Sequence, residues 1–413
     1  MTTRTTRHTS ERGAVSLFAV IFAMLLISVV TISFLRIMVN DQAQSTGNDL
    51  SRSAYDSSLA GVEDAKRALV WYSQQCAAGA AAGACADATA TINSSTCNKA
   101  IVEVVKSGDI ASTNGGAAGA VGEVKVQQSQ ADASGDNADA ALDQAYTCVT
   151  MQLDTDDYVN VIPKDTAIMV PLIGEGGFNR VTLEWFSRDD VSNKTGAVSL
   201  AAASQRLPKP TEWPVTRPSL LRAQFMQATN NFTLGDYDAN SNDGKSNTNT
   251  VFLYPTSTAN TGDIVLVDRD SRSATPAPAA PASAPKTVSC VSTIPSGGYS
   301  CKAELVVPSP RNGTRNAAYL RVSAFYTATH VRVTLRNGTA SATATPVKFK
   351  GVQPIVDSTG RASNVFRRVQ SRVDLYDTTF PYPDAAVETS GDFCKDFGVT
   401  NDAYIAGSCE TTK

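Results

Sequence analysis

Eight cysteines and two histidines are the residues of this 413-residue chain whose chemistry is easiest to name. The cysteines stand at Cys76, Cys85, Cys97, Cys148, Cys290, Cys301, Cys394 and Cys409. There is no Cys-x-x-Cys, and neither His8 nor His330 lies within ligand spacing of a cysteine, so no zinc site, other metal or cofactor is assigned. An even set of cysteines outside a membrane reads as disulfides in an oxidising compartment. Eight cysteines allow many connectivities. Nearness in sequence favours Cys290–Cys301 and Cys394–Cys409, with Cys76, Cys85, Cys97 and Cys148 pairing among themselves. Each closed loop adds about 2–4 kcal/mol.

Other candidate chemistry is thin. No Gly-x-Ser-x-Gly, P-loop or dinucleotide-binding glycine pattern occurs in a strand-turn-helix setting. His330 reads as a polar residue opening a strand rather than a general base. The run Asp236-Tyr237-Asp238-Ala239-Asn240-Ser241-Asn242-Asp243-Gly244 offers alternate oxygen ligands. An EF-hand frame from Asp236 would put Ser241 at the glycine position and Asn247 where a bidentate Glu belongs, so a solvated loop is the better reading than a calcium site. Asp154, Asp156 and Asp157 read the same way. Arg332, Arg336, Arg367, Arg368 and Arg372 would form a basic patch if their strands were adjacent. Net charge is −3, and no aromatic residues interleave with that basic set, so no specific nucleic-acid partner is expected. The residues point to a non-enzymatic protein.

The element that must position everything else is at the N-terminus. Residues Ala14 to Leu35 form an apolar run without Asp, Glu, Lys, Arg, Asn or Gln. Roughly 22 residues at about 1.5 Å rise each can span a hydrocarbon core of around 30 Å. The leader Met1 to Gly13 carries Arg4, Arg7 and Arg12 against Glu11, which keeps it cytoplasmic and puts the C-terminal part outside. The run is too long for a signal-peptide core, and Arg36-Ile37-Met38-Val39-Asn40 offers no cleavage site, so membrane lipid is the first expected partner. From Arg36 to Cys76 there is no proline, and the only glycines are Gly47 and Gly61. Tyr55, Leu59, Val62, Ala65, Leu69 and Tyr72 recur at helical spacing, Glu63 and Arg67 form an i,i+4 pair, and Gly79 can end the helix. One helix from Ala14 to about Cys76 is expected, on the order of 90 Å long.

The leader ending in Gly13, the apolar Ala14-Val15-Ser16-Leu17-Phe18-Ala19-Val20-Ile21-Phe22 and the helical Ser53-Ala54-Tyr55-Asp56-Ser57-Ser58-Leu59-Ala60-Gly61-Val62-Glu63-Asp64-Ala65 resemble a type IV pilin, most of all the PilX-type minor pilins. The resemblance covers roughly the first 75 residues. It implies cleavage by a prepilin peptidase between Gly13 and Ala14, an N-methylated Ala14, and assembly contacts carried by Ala14 to Leu35, Phe18 included, with other pilin subunits. Two positions depart from the major pilins: Ala14 replaces their first Phe, and Phe18 replaces the fifth-position Glu that pairs with a neighbouring amine. A carboxylate in apolar surroundings needs such a partner, so its absence suits a minor or accessory subunit. The Cys394–Cys409 loop resembles the C-terminal disulfide loop of many pilins.

The rest of the chain reads as a β-rich ectodomain. Residues 77–147 are an Ala/Gly-rich loop region with local pieces at Ala100 to Val105 and Val121 to Val126. Residues 148–270 form a first β-rich part, in which Val181, Leu183 and Trp185 alternate with Thr182, Glu184 and Phe186. Residues 271–287 are a Pro/Ala-rich linker, and 288–413 a second β-rich part. In that part Leu320, Val322, Ala324 and Tyr326 share a face, Val331, Val333 and Leu335 alternate with Arg332, Thr334 and Arg336, and Val369, Ser371, Val373 and Leu375 alternate with Arg368, Gln370, Arg372 and Asp374. Asp357-Ser358-Thr359-Gly360 has turn chemistry. The expected fold class is α+β: a long N-terminal helix, transmembrane then amphipathic, followed by an antiparallel, disulfide-stapled ectodomain with one face of its sheet buried. The alternative to a pilin is an unprocessed single-pass surface adhesin that reads a glycan or other surface polymer.

Overall fold

The computed structural model describes residues 12–77, 80–106, 122–126, 144–191, 196–201, 208–227, 248–257, 262–266, 285–311 and 318–375. In chain order the elements are α1 (Arg12–Gln75), α2 (Ala84–Ile92), α3 (Lys99–Lys106), β1 (Val124–Lys125), β2 (Gln144–Thr155), β3 (Tyr158–Ile162), β4 (Ala167–Pro171), β5 (Phe178–Ser187), β6 (Leu220–Gln227), β7 (Thr248–Thr256), β8 (Ile264–Val265), β9 (Lys286–Ser289), β10 (Tyr299–Arg311), β11 (Ala318–Phe325), β12 (Thr329–Asn337), β13 (Thr345–Val347), β14 (Phe349–Ala362) and β15 (Val365–Arg372). The class is α+β, with one long helix and a strand-rich remainder. The leader up to Glu11, Gly79, Gly115 to Ala120, the Asp236–Gly244 loop, residues 271–284, Cys394 and Cys409 lie outside the described residues.

Two compact units divide the chain. Unit 1 holds Met1–Arg67, Thr96–Thr150 and Asp357–Gln370, and unit 2 holds Ala68–Ser95, Met151–Val356 and Ser371–Lys413.

In unit 1 the helix packs on strands from the sheet of order β1-β2-β14-β15. α1 runs unbroken for 64 residues because nothing in it stops a helix: it has no proline, and Gly47 sits where nothing approaches within 4 Å. Val62, Ala65, Leu69 and Tyr72 of the expected apolar stripe are buried, but its first turns face elsewhere. Ala54, Ser57, Ser58, Gly61, Val62 and Ala65 are buried, whereas Tyr55 and Leu59 are 48% and 37% exposed. The reason is close backbone approach. A Cβ built on Gly360 would collide with Ala54 O and Ser58 N and stand 2.9 Å from Ser57 C, so only glycine opposite small helix residues fits. Asp357-Ser358-Thr359-Gly360 is therefore not a turn. It is the end of strand β14, and the reversal comes at Ser363-Asn364, with Ser363 at φ 52°. The expected Glu63–Arg67 pair is also replaced: Glu63 binds Lys66 at 2.7 Å and Asp64 binds Arg67 at 3.2 Å.

A second knot in unit 1 centres on Asn98, which is fully buried at φ 60°. Its Nδ2 donates to Gly122 O (2.8 Å) and Thr147 O (3.2 Å), its Oδ1 accepts from Val149 N (2.8 Å), and its own N–H donates to Val149 O (2.9 Å). Beside it the disulfide Cys97–Cys148 closes a loop of sequence separation 51.

Unit 2 is built on two sheets. One has the order β13-β12-β5-β10-β8, with β3 also pairing β12, and the other β4-β11-β6-β7-β9. Residues on both sides of the expected 271–287 linker enter the same sheets: β5 pairs β10 and β12, and β6 pairs β11. The sheets are not wholly antiparallel, since β8 joins β10 and β9 joins β7 in parallel. One continuous core fills the space between them, with Phe178, Leu183, Trp185, Phe225, Leu253, Leu305, Leu320 and Val333 fully buried. Alternation holds on β12 but not on β5, whose other face is covered as well. Arg180 and Glu304 are 2% and 7% exposed there. Arg180 Nη1 reaches Glu304 Oε1 at 3.0 Å, Nη2 reaches Asp263 Oδ2 at 2.8 Å and Thr339 O at 2.7 Å, and Nε donates to Gly338 O at 2.9 Å. A buried charge is tolerable only when partnered in this way. Tyr326 does not share the face of Leu320, Val322 and Ala324; it lies past the end of β11 at φ 75°. Val373 and Leu375 lie beyond β15 and remain half-buried. The disulfides Cys76–Cys85 and Cys290–Cys301 belong to this unit.

Candidate functional site

The first candidate is the N-terminal part of α1. Gly13 and Ala14 fall within the helix. From Leu17 to Val39 every large apolar side chain is exposed, from 48% at Ile21 to 76% at Phe18, with Leu35 at 53%. The segment is long and apolar enough to cross a membrane. Its hydroxyls suit that role, because Ser28, Thr31 and Ser33 each donate to the carbonyl four residues back, at Met24, Ile27 and Val29, all at 2.8 Å. Hydroxyls satisfied inside the helix add no unmet polar group to a hydrocarbon environment. An apolar belt of this size in water is unstable to association, since each such side chain gains about 1.5–3 kcal/mol on leaving water.

The packed part of α1 is fastened by a specific polar contact. The Tyr146 hydroxyl donates to Asp64 Oδ2 at 2.8 Å. Burial foremost, then the Asp64 charge, pushes the Tyr146 phenol well above its ordinary value. At the sheet edge Arg367 donates through Nε (2.8 Å) and Nη2 (2.6 Å) to Ser51 Oγ.

The condition for a basic patch, adjacent strands, is not met. Arg332 and Arg336 lie on β12 and Arg367, Arg368 and Arg372 on β15, in different sheets. Four of them are neutralised locally: Arg332 by Glu184 (2.6 Å), Arg336 by Glu304 (3.5 Å), Arg368 by Asp357 and Arg372 by Asp157 (2.6 Å). None of these partners was legible in sequence, because the pairings cross strands.

His330 has a partner that spacing could not reveal. Its Nδ1 is 2.7 Å from Asp190 Oδ1, and its backbone N–H donates to the same carboxylate (3.0 Å to Oδ2). Asp190 also accepts from Ser187 N at 2.7 Å, so it ties the turn after β5 to the start of β12. That is a structural use of a His–Asp pair. Among the described residues no group of three His, Cys, Asp or Glu could hold a metal ion. Asp154 has its carboxyl raised by burial and by Glu175 nearby, with Lys350 and Lys348 acting in the opposite direction.

The second candidate was missed in sequence. A cavity of about 440 Å³ opens on unit 2, lined by Lys164, Asp165, Pro210, Leu220, Arg222, Phe252, Phe325 and Tyr326. It lies on the face of the five-stranded sheet away from the core: Leu221, Ala223, Val251 and Leu253 point into the core, and their neighbours Leu220, Arg222 and Phe252 line the cavity. Register sets Phe325 directly opposite Leu220, and Arg222 opposite Phe252. Its wall is continuous with an aromatic cluster distinct from the main core, since Leu220, Phe252, Phe325 and Tyr326 belong to both. Trp213 stacks on Tyr326 at 4.4 Å and 11°, meets Tyr254 edge-on at 5.8 Å, and carries Arg217 4.0 Å above its ring. Tyr326 is fixed by donating its hydroxyl to Pro208 O at 2.7 Å, and burial raises its phenol.

No family model, curated protein or solved structure matches the chain.

Proposed function

We propose that this chain is a minor or accessory type IV pilin-like subunit, held in the membrane by α1 and contributing to pilus assembly or surface adhesion. The observation that supports it most is the division of labour along a single unbroken helix. Leu17 to Val39 present bare apolar side chains, while Ala54 to Ala65 are fitted to a sheet by backbone approach at Gly360. A helix that is membrane-spanning at one end and sheet-packed at the other is what the resemblance of the first 75 residues implies. Its partners are membrane lipid before assembly, prepilin peptidase at Gly13–Ala14, and the helices of other pilin subunits afterwards. The basic leader puts the N-terminus in the cytoplasm and the strand-rich part outside. Phe18, 76% exposed, supplies apolar surface where a major pilin would need a charge partner.

The test is intact-mass and N-terminal peptide mass spectrometry on protein from its native membrane or sheared-filament fraction. A mature chain starting at Ala14, methylated on its amine, is expected. A chain retaining Met1 to Gly13, or one starting well beyond Leu35, overturns the proposal.

A further inference from the structure

The cavity on unit 2 goes beyond that reading and stands without it. Its walls are rings and aliphatic carbons of Leu220, Phe252, Phe325, Tyr326 and Pro210, together with Arg222, whose guanidinium donates through Nη2 to Ser323 Oγ at 3.2 Å and lies 5.7 Å from the Phe325 ring. A volume of about 440 Å³ suits a ligand of one or two rings. The polar equipment is sparse, and the Tyr326 hydroxyl is already committed to Pro208 O. A sugar would bury hydroxyls with few groups to meet them, whereas an aromatic ring finds offset and edge-on partners.

The charged rim is specific. Lys164 and Asp165 sit on the turn between β3 and β4, with Asp165 at φ 58°. Asp165 Oδ1 accepts from Tyr326 N at 3.3 Å, so two residues in the left-handed region hold each other. A tyrosine there is strained, and such strain gathers at binding sites. The Lys164 ammonium comes only to 3.8 Å from Asp165 Oδ2, beyond hydrogen-bond distance, and its side chain is 54% exposed. It therefore lines the apolar cavity in ion-pair range of Asp165 and open to solvent, where a ligand carboxylate can reach it.

We propose that this cavity binds a small aromatic carboxylate, with the ring against Phe252, Phe325 and Tyr326 and the carboxylate on the Lys164 ammonium. The test uses the full chain in lipid nanodiscs, titrated calorimetrically with 2-naphthoate and with the uncharged 2-naphthamide, against empty nanodiscs. Saturable binding of naphthoate is expected, with the amide about tenfold weaker. Lys164→Gln, at a half-exposed position, should lower naphthoate affinity about tenfold and leave the amide unchanged. Leu220→Trp, which fills the cavity, should abolish both. Heats equal to those of empty nanodiscs overturn the site. Naphthoate affinity unchanged in Lys164→Gln overturns the assigned ligand chemistry, and that variant decides the matter even if Leu220→Trp does not fold.

Discussion

Unit 1 and unit 2 bury their interiors in opposite ways. In unit 1 the helix is held by absence of bulk: Ala54, Ser57, Ser58 and Gly61 let the backbone of β14 come against the backbone of α1 at Gly360. In unit 2 two sheets are held apart by bulk, with Trp185, Phe178, Phe225 and Leu305 filling the space between. Close backbone packing tolerates no added atom, and a large side-chain core tolerates no missing one. The two regions should respond in mirror image to substitution.

The largest effect is expected from adding atoms in unit 1. Gly360→Val drives a side chain into the Ala54 and Ser58 backbone and should cost at least about 4 kcal/mol, seen as a lowered Tm and new protease cuts around residue 58. A fully stable Gly360→Val protein would break the comparison. Next comes removal of atoms in unit 2. Leu305→Ala, at a fully buried position, should cost about 3 kcal/mol by denaturant unfolding, through lost burial plus the cavity left behind.

A third expectation concerns alkaline pH, which touches both units. Burial raises the Tyr158 phenol in unit 2 to about 12, and raises Tyr146 in unit 1 further. Each folded phenol keeps its proton where the unfolded chain loses it, so the folded state binds more protons above about pH 10. Stability should fall as pH rises from there, by up to about 1.4 kcal/mol per pH unit per tyrosine, and Tyr158→Phe should flatten the slope in unit 2 up to about pH 12. A pH-independent Tm across that window would contradict the burial of both phenols. The smallest effect sharpens the contrast within α1 itself. Gly47→Ala, where nothing lies within 4 Å, should stabilise by about 0.5–1 kcal/mol in the same thermal assay that Gly360→Val fails.

The long helix was legible in sequence because it lacks breakers, and strands such as β12 because their period-two pattern meets a one-sided core. The helix's contact face was legible from Val62 to Tyr72 but not before it, since apolar spacing selects Tyr55 and Leu59 while backbone approach selects Ala54, Ser57, Ser58 and Gly61. That set at i, i+3, i+4 and i+7 was the available signal. Gly360 misled for a related reason: Asp-Ser-Thr-Gly has turn chemistry, yet a strand glycine also marks close approach. The buried Arg180–Glu304 pair and the aromatic cavity were out of reach, because each joins strands more than a hundred residues apart.

If the chain is the pilin-like subunit proposed above, the bare N-terminal part of α1 passes from lipid to the helices of other subunits. A photo-crosslinking residue at Ile27, 64% exposed, tests it directly in the native membrane and sheared-filament fractions. Lipid adducts in the membrane fraction and adducts to other pilin-like chains in the filament fraction are the expected result. Lipid adducts alone in both, or no lipid adduct in either, would contradict it.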